Sequence, residues 1–278
     1  MRFLNISAYK FVAIEAPEVL QTELRQRCAA AKLKGTILLA PEGINLFLAG
    51  TEAGVRGVLA WLTADPRLAG LPVKESWSDE QPFNRMLVKI KSEIITMRQP
   101  MIRPMDHRAP HIDAPTLKDW LDRGRDDEGR EIALLDTRNV FEVEIGSFAN
   151  AFTPALKSFG EFPKQLAKLD PQLKEKTVVT FCTGGIRCEK AALYMAEQGY
   201  AHVYQLDGGI LKYFEEVGGA HYQGNCFVFD RRVALTPALT AAGHVECFNC
   251  RAVLSPAQQE SASYVKGISC PDCVGGLA

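Results

Sequence analysis

The sequence lacks long apolar runs, and none of its stretches reaches the roughly 18 apolar residues of a membrane-spanning helix. Its first residues, "MRFLNISAYKFVAIEAPE", also lack the apolar centre and small-residue cleavage site of a signal peptide. The net charge of −1 over 278 residues excludes a general attraction to nucleic acid, so RNA binding would need a local basic patch. These absences predict a cytoplasmic protein without a membrane partner.

Cysteine, in contrast, is abundant for a cytoplasmic chain. The eight cysteines are unevenly spaced, with Cys182 and Cys188 close together and two Cys-x-x-Cys pairs near the C-terminus. Disulfides are disfavoured in a reducing compartment, so we interpret the clusters as sites of catalysis or metal binding. Cys226, which stands apart, is expected to be a packed thiol.

Hydrophobic periodicity predicts an α/β protein with three parts, the first two of which are separated by a linker. Residues 1–94 predict the order β-α-β-β-α-β-β, with "GTILLAPEGINLFLAG" as a hairpin, which favours a ferredoxin-like (acylphosphatase-like) α/β sandwich over another α+β topology. Residues 95–115 contain four prolines and predict a surface linker. Residues 116–220 alternate helix and strand, as in a parallel α/β domain, and residues 221–278 form a weakly periodic Cys-rich region.

The stretch "VVTFCTGGIRCEKAA" combines a buried strand, a cysteine, a glycine-rich turn and the start of a helix. Backbone N–H groups in such a turn, the helix dipole and Arg187 would all stabilise a Cys182 thiolate, which is the nucleophilic form. Gly184 and Gly185 allow the positive φ angles that the turn requires. A buried structural thiol is the alternative for Cys182. Cys188 is either structural or a second thiol that resolves an oxidised Cys182.

The loop length separates two classes of cysteine enzyme. Four residues lie between Cys182 and Arg187, whereas a tyrosine-phosphatase loop has five and forms a wider cradle for phosphate. With "LLDTRNVFEVEIGSFANA" and "VYQLDGGI", the loop "CTGGIRCEKA" resembles the rhodanese domain over about 105 residues. The resemblance implies that Cys182 can carry a persulfide and that Asp136 and Arg138 brace the loop. An ion pair without a role in the site is the alternative for Arg138.

Over nearly the whole chain, the sequence resembles the TrhO (formerly YceA) family of bacterial tRNA uridine(34) hydroxylases. The motifs are "APEGIN", "CTGGIRCEKA", "QGNCFVFDRRV" and "YVKGISCPDC". Membership implies a monooxygenase-type oxidoreductase that uses molecular oxygen to hydroxylate carbon 5 of the wobble uridine. The sequence itself shows no flavin, haem or facial-triad iron motif. This resemblance implies that Cys182 is the essential catalytic residue. Together with the chemistry of the loop, it gives a predicted catalytic set of Cys182, Arg187 and Cys188. The predicted loop-bracing or substrate-binding residues are Asp136, Arg138, Thr183, Gly184, Gly185 and Ile186.

The last four cysteines predict a structural zinc site. "CFNC" and "CPDC" supply Cys247, Cys250, Cys270 and Cys273, the tetrahedral thiolate set that Zn²⁺ prefers in closed sites. A zinc-ribbon-like tail of this kind would gain folding free energy from the metal. Four reduced thiols without a metal are the alternative.

A tRNA partner bound through its anticodon loop would need cations and stacking surfaces. The segment 85–108 is rich in cations, although an ordinary solvated strand and linker would look similar: Arg85, Lys89, Lys91, Arg98, Arg103 and Arg108. Candidate base-stacking residues are Phe159, Phe162, Tyr213 and Phe227, while Glu189 and Lys190 are expected on a solvated helix face. A sulfurtransferase that passes sulfur from Cys182, and a binding module with an inert Cys182, are the rival functions. The sequence leaves the oligomeric state open.

Overall fold

The computed structural model describes residues 2–274, and the chain divides into two compact units between Arg108 and Ala109. The first unit contains a five-stranded sheet in the order β4-β1-β3-β2-β5, in which only the β2–β5 pair is parallel. This order confirms the ferredoxin-like sandwich, with β5 added at one edge. Its elements are β1 (Phe3–Phe11), α1 (Pro17–Ala30), β2 (Lys34–Ala40), β3 (Gly43–Gly50), α2 (Glu52–Thr63), β4 (Val73–Ser78) and β5 (Met86–Ile90).

The two helices of this unit cover one face of the sheet because their apolar residues fall on one side. Leu20, Leu24 and Cys28 of α1 and Val55 of α2 are buried in one cluster with the strand residues. The predicted hairpin is the β2–β3 turn. Gly43 has φ +148°, and a Cβ there would lie 2.1 Å from the Lys10 carbonyl oxygen, so the turn requires glycine.

The second unit is built on a fully parallel sheet with the order β6-β10-β9-β7, which confirms the predicted parallel α/β domain. Every residue of the central strand β9 is buried, as its β-branched sequence TVVTF predicts. The elements are β6 (His111–Ile112), α3 (Ala114–Arg123), β7 (Ile132–Asp136), α4 (Val140–Val143), β8 (Gly146–Phe148), α5 (Phe162–Leu166), β9 (Thr177–Phe181), α6 (Ile186–Glu197), β10 (Val203–Leu206), α7 (Gly209–Val217) and β11 (Tyr222–Gly224).

Two differences from the predicted organisation concern the linker. Strand β6 and the start of α3 lie within residues 95–115, so the parallel sheet begins before residue 116. Residues 91–110 form no helix or strand, yet Ile94, Met97 and Ile102 are buried rather than draped over the surface.

The Cys-rich region contains two short antiparallel hairpins, β12–β13 and β14–β15, with only two paired residues in each strand. Apolar packing under the second hairpin is limited to a small cluster around Cys247, Leu254 and Cys270. Among residues 2–274 no helix is both long and apolar enough to cross a bilayer. The remaining elements are β12 (Cys226–Phe227), β13 (Ala234–Leu235), β14 (Val245–Glu246), β15 (Val253–Leu254), α8 (Pro256–Gln259) and α9 (Pro271–Val274).

Candidate active site

The cysteine loop occupies residues 182–185, between the end of β9 and the start of α6. Asp136, the last residue of β7, pairs with Phe181, the last residue of β9. Because the two strands are parallel, the residues that follow them lie at the same edge of the sheet. The start of α7 packs against the loop: the Ile210 N–H donates to the Cys182 carbonyl oxygen over 2.9 Å. A Cβ on Gly209 would lie 2.4 Å from that oxygen, so the approach requires glycine.

The loop turns hydrogen-bond donors toward the Cys182 sulfur. The Gly185 N–H donates to Cys182 Sγ over 3.1 Å. Gly185 has the left-handed φ of +100° that the sequence predicted, whereas Gly184, expected to share this role, does not have a positive φ. Burial by itself would raise the pKa of Cys182, but a hydrogen bond from the Cys188 thiol, the charge of Arg187, and the N–H groups of Arg187 and Gly185 hold this pKa well below the ordinary value of 9.0. These interactions therefore favour the thiolate form of Cys182.

Cys188 supports this ionisation as a neutral thiol. Burial, the hydrogen bond to Cys182 and the charge of the Cys182 thiolate raise the pKa of Cys188 well above 9.0. Thr137 Oγ1 lies 3.7 Å from Cys188 Sγ and donates to the Phe181 carbonyl oxygen over 2.9 Å. Thr137, which the sequence did not single out, thus connects the end of β7 to the end of β9 and to Cys188.

Arg187 is fixed by a carboxylate that the sequence also did not single out. Glu142 of α4 accepts two hydrogen bonds from Arg187, at 2.6 and 2.8 Å, and both side chains are buried. Burial would raise the pKa of Glu142, but the charge and hydrogen bonds of Arg187 lower it, so the pair is ionised. The one feature of the sequence that points to Glu142 is the spacing Asn139-x-x-Glu142, which is typical of a capping box at the start of a helix. This spacing does not indicate that Glu142 pairs with Arg187.

Asp136 and Arg138 form a second buried ion pair beside the loop. Arg138 donates to Asp136 at 2.6 and 2.9 Å and to the Gly146 carbonyl oxygen at 2.6 Å, and Ser147 Oγ donates to Asp136 over 2.7 Å. These bonds join β7 to β8. The direct contact to the loop comes instead from Glu142, which accepts a hydrogen bond from Thr183 Oγ1 over 3.4 Å, so the expected bracing by Asp136 and Arg138 is indirect.

The Cys182 thiol is buried, whereas a reactive cysteine must be reached by its substrate. Cys182 is 0% exposed, Thr183 is 9% exposed, and only Gly184 and Ile186 of the loop residues reach the surface in part. Thr183 Oγ1 donates to the Phe227 carbonyl oxygen over 3.4 Å, which places β12 beside the loop. Chemistry on Cys182 therefore requires an opening at Gly184, at Ile186 or along β12.

Several predicted surface residues lie in the interior instead. Glu189 and Lys190 are both 2% exposed, because this part of α6 packs on the sheet, where Gln205 Nε2 donates to Glu189 over 3.1 Å. Three of the four candidate stacking residues are core residues: Phe159, Phe162 and Tyr213. Phe227 alone of the four is partly exposed. The six cations of residues 85–108 are all exposed, as a phosphate-binding role requires.

We expect Arg187→Gln to raise the pKa of Cys182 toward that of an ordinary thiol, because the guanidinium charge is lost. The pKa is followed by the ultraviolet absorbance of the thiolate as pH changes. The matched control is Arg187→Gln combined with Glu142→Gln, which removes both members of the buried pair and leaves no unpaired carboxylate. An unshifted thiolate titration in the double variant would contradict a role for the Arg187 charge.

The four C-terminal cysteines lie together as a metal site requires. Their sulfur atoms all lie within 4.8 Å of one another, and Cys250 Sγ is 3.5 Å from Cys270 Sγ. Tetrahedral Zn–S bonds of about 2.3 Å place sulfurs roughly 3.8 Å apart, so the set fits Zn²⁺ with little movement. Cys247, Cys250, Cys270 and Cys273 would hold the ion in a closed, structural site.

We expect purified protein to contain about one zinc per chain, because four thiolates satisfy the ion completely. Cys270→Ser removes a buried ligand and is expected to lose the zinc and expose the tail to proteolysis. Cys28→Ser, which changes a thiol in the other unit, serves as the control. Metal analysis by mass spectrometry would contradict the site if wild type and Cys270→Ser carried equal zinc.

Two family models match separate segments of the chain. Residues 3–94 match the family model described as the UPF0176 acylphosphatase like domain, and residues 113–216 match the Rhodanese-like domain. Among solved structures, a rhodanese-related protein from Thermoplasma volcanium is similar to this chain, with 23% sequence identity and a TM-score of 0.32. The match covers 39% of this chain and 94% of that protein.

Curated relatives match over nearly the full length. A protein of Cupriavidus taiwanensis named tRNA uridine(34) hydroxylase is 59% identical over 99% of this chain and 98% of its own. A protein of the same name from Cupriavidus necator is 58% identical over 99% of this chain and 98% of its own.

Proposed function

Because this chain belongs to the tRNA uridine(34) hydroxylase family, we propose that it hydroxylates carbon 5 of uridine 34, the wobble base in the anticodon loop of tRNA. The observation that carries the proposal is the extent of the match. The relative at 59% identity covers both units and the Cys-rich tail, whereas rhodanese similarity alone ends at residue 216. A tRNA substrate implies a cytoplasmic site of action, which is part of the proposal.

Molecular oxygen is the proposed co-substrate. One oxygen atom replaces the hydrogen on carbon 5, and the other leaves as water with two electrons and two protons from a reductant. Cys182 could add to carbon 6 of the ring, which moves the electrons of the C5–C6 double bond toward the C4 carbonyl and makes carbon 5 electron-rich. Carbon 5 then bonds to one oxygen atom of the co-substrate, and the O–O bond breaks as the second oxygen takes the two electrons and two protons and leaves as water. Loss of the C5 proton and departure of the thiolate from carbon 6 restore the C5–C6 double bond. Oxidation of Cys182 itself is the second route.

The surrounding residues have distinct proposed roles. Arg187 and the loop N–H groups stabilise the Cys182 thiolate, and Cys188 donates a hydrogen bond to it. Glu142 positions Arg187. The exposed cations of residues 85–108 contact tRNA phosphates, which would make binding weaker at higher salt.

The test is nucleoside mass spectrometry of tRNA from cells with and without the gene for this chain. We expect 5-hydroxyuridine and its derivatives to disappear on deletion and to return when the wild-type chain is restored. An unchanged nucleoside profile would exclude the proposed function. A thiosulfate assay with cyanide as sulfur acceptor separates the rival reaction, since fast turnover there without any change in tRNA would identify a sulfurtransferase.

A further inference from the structure

Two buried thiols meet at the cysteine loop. Cys182 and Cys188 are both fully buried, and the Cys188 thiol is hydrogen-bonded to the Cys182 sulfur. Gly185 joins them, because its N–H donates to Cys182 Sγ over 3.1 Å and its carbonyl oxygen accepts from the Cys188 N–H over 3.0 Å. Cys182 and Cys188 are called the loop dithiol below.

The ends of β7 and β9 fix the position of the Cys188 sulfur. Thr137 Oγ1 lies 3.7 Å from Cys188 Sγ and donates to the carbonyl oxygen of Phe181, the residue before Cys182. Thr180 of β9 also forms a side-chain hydrogen bond with Cys188. The Cys188 sulfur is therefore held beside the chain segment that carries Cys182.

The two thiols differ in protonation. Burial by itself would raise the pKa of Cys182, but its neighbours hold this pKa well below 9.0, whereas burial raises the pKa of Cys188 well above 9.0. A low-pKa cysteine poised next to a second thiol is the arrangement of redox-active cysteine pairs. The loop dithiol thus contains a nucleophilic sulfur, a transferable proton and the two electrons that formation of an S–S bond releases.

The proposed hydroxylation consumes two electrons from a reductant. Dioxygen accepts four electrons when one of its atoms is placed on carbon 5 and the other becomes water. The oxidation of carbon 5 supplies two of these electrons, so two more must come from elsewhere. Oxidation of a thiolate and a thiol to one disulfide supplies that number.

We propose that the loop dithiol is the reductant of the reaction, so that each hydroxylation ends with a disulfide between Cys182 and Cys188. The inference rests on the proposed function, because it identifies the electron source of that same reaction. It makes Cys188 a second catalytic residue, whose sulfur reacts with the oxygen atom that is not retained on the base.

The electrons pass to oxygen after Cys182 has added to carbon 6. Carbon 5 bonds to dioxygen, and the resulting peroxide takes a proton from solvent. The Cys188 sulfur then attacks the outer oxygen atom, the O–O bond breaks, and the S–H proton passes to the oxygen left on carbon 5. Cys188 is thereby oxidised to a sulfenic acid, and the peroxide is reduced to the C5 hydroxyl group.

The S–S bond forms when the base departs. Loss of the C5 proton expels the Cys182 thiolate from carbon 6 and restores the C5–C6 double bond. The thiolate attacks the Cys188 sulfur and displaces hydroxide, which takes up a proton and leaves as water. The two sulfurs, already in hydrogen-bond contact, approach to about 2.05 Å in the disulfide.

A small-molecule thiol of the cell returns the loop dithiol to its reduced state. Its thiolate attacks the Cys188 sulfur, and Cys182 leaves as the thiolate. Thiol–disulfide exchange is faster when the departing thiolate has a low pKa, and Arg187 and the loop N–H groups lower the pKa of Cys182 against the effect of burial. The same groups therefore serve both halves of the cycle.

The test is a single turnover without added reductant. Wild-type protein is reduced with dithiothreitol, desalted in the absence of oxygen, and mixed with aerated buffer and tRNA from cells that lack the gene. Each chain should form about one 5-hydroxyuridine and about one disulfide, because one dithiol supplies electrons for one hydroxylation. Trypsin cleaves after Lys176, Arg187 and Lys190, so mass spectrometry should find peptide 177–187 joined to peptide 188–190.

Cys188→Ser keeps the size of the side chain but cannot supply the electrons. In the single turnover it should form at least about 10-fold less 5-hydroxyuridine than wild type. The matched control is Cys226→Ser, since Cys226 is another buried thiol of the second unit and its sulfur donates instead to the Phe227 carbonyl oxygen over 3.6 Å. This control should match wild type in both product and disulfide.

The outcomes separate this inference from the proposed function. The inference is wrong if wild type forms 5-hydroxyuridine while the loop dithiol stays reduced, if equal disulfide forms without tRNA, or if Cys188→Ser matches wild type. It is also wrong if the disulfide joins peptide 213–231, which carries Cys226, or if product forms only after dithiothreitol is added back. All of these results leave the proposed function standing. A wild-type protein that makes no 5-hydroxyuridine with or without dithiothreitol would overturn both.

Discussion

Replacing Cys182 by alanine is expected to abolish formation of 5-hydroxyuridine, with a loss of about 10⁴-fold or more. A nucleophile that forms the covalent intermediate cannot be replaced by its neighbours, and losses of this size follow when such a group is removed. Cys188 does not substitute for it, because burial, the largest cause of its raised pKa, still keeps Cys188 neutral when the Cys182 thiolate is absent. The measurement is nucleoside mass spectrometry of tRNA after incubation with each variant.

The control for this prediction is Cys28→Ala. Cys28 is equally buried, but burial raises its pKa to about 11, and it lies in the first unit. Its loss should affect stability without removing the reaction. Full activity in Cys182→Ala, with correct folding shown by an unchanged circular-dichroism spectrum, would leave Cys182 without a catalytic role and favour the binding-module alternative.

Replacing Arg138 by methionine is expected to lower the free energy of unfolding of the second unit, which is the second large effect. The change leaves Asp136 buried without its cation, and breaking one side of a buried ion pair costs about 3–5 kcal/mol. The Gly146 carbonyl oxygen also loses a donor, so the link between β7 and β8 weakens. Thermal unfolding followed by circular dichroism should show a lower Tm for the second unit.

Two further variants distinguish the cause. Asp136→Leu combined with Arg138→Met removes both charges and is expected to recover part of the lost free energy of unfolding. Arg56→Met removes an exposed ion pair with Glu52 and Glu75 and should have little effect, because solvent screens such pairs. If Arg138→Met unfolds at the wild-type temperature, Asp136 and Arg138 do not stabilise the β7–β8 region.

The position of the cysteine loop could be predicted because local patterns determine it. An apolar β-branched strand, two glycines and a helical pattern place Cys182 at the carboxyl end of β9, and the structure agrees. The cluster of the last four cysteines could be predicted for the same reason, because Cys-x-x-Cys spacing reflects the geometry of a single turn.

Contacts between distant segments could not be predicted. Glu142 and Arg187 are 45 residues apart in the sequence, and the residues around each of them do not indicate that the two side chains pair. Glu189 and Lys190 look like a solvated face, but the position of α6 on the sheet buries both. The burial of Cys182 likewise results from β12 and the start of α7, which lie far along the chain from β9.

The ionised state of Cys182 also links pH to stability. Its folded-state pKa lies below the unfolded value near 9.0, so the thiolate contributes stability that is fully present above pH 9. That contribution is lost as the pH falls through the lowered folded-state pKa. Activity is therefore expected to persist at pH values where an ordinary cysteine is protonated.

The most direct test of the account is the ultraviolet absorbance of the thiolate in wild type minus that in Cys182→Ala, followed from alkaline to acid pH. The account predicts a thiolate signal that persists at neutral pH and disappears only well below pH 9.0. A difference signal that appears only near or above pH 9.0 would show that Cys182 is neutral under working conditions and would contradict its role as the nucleophile.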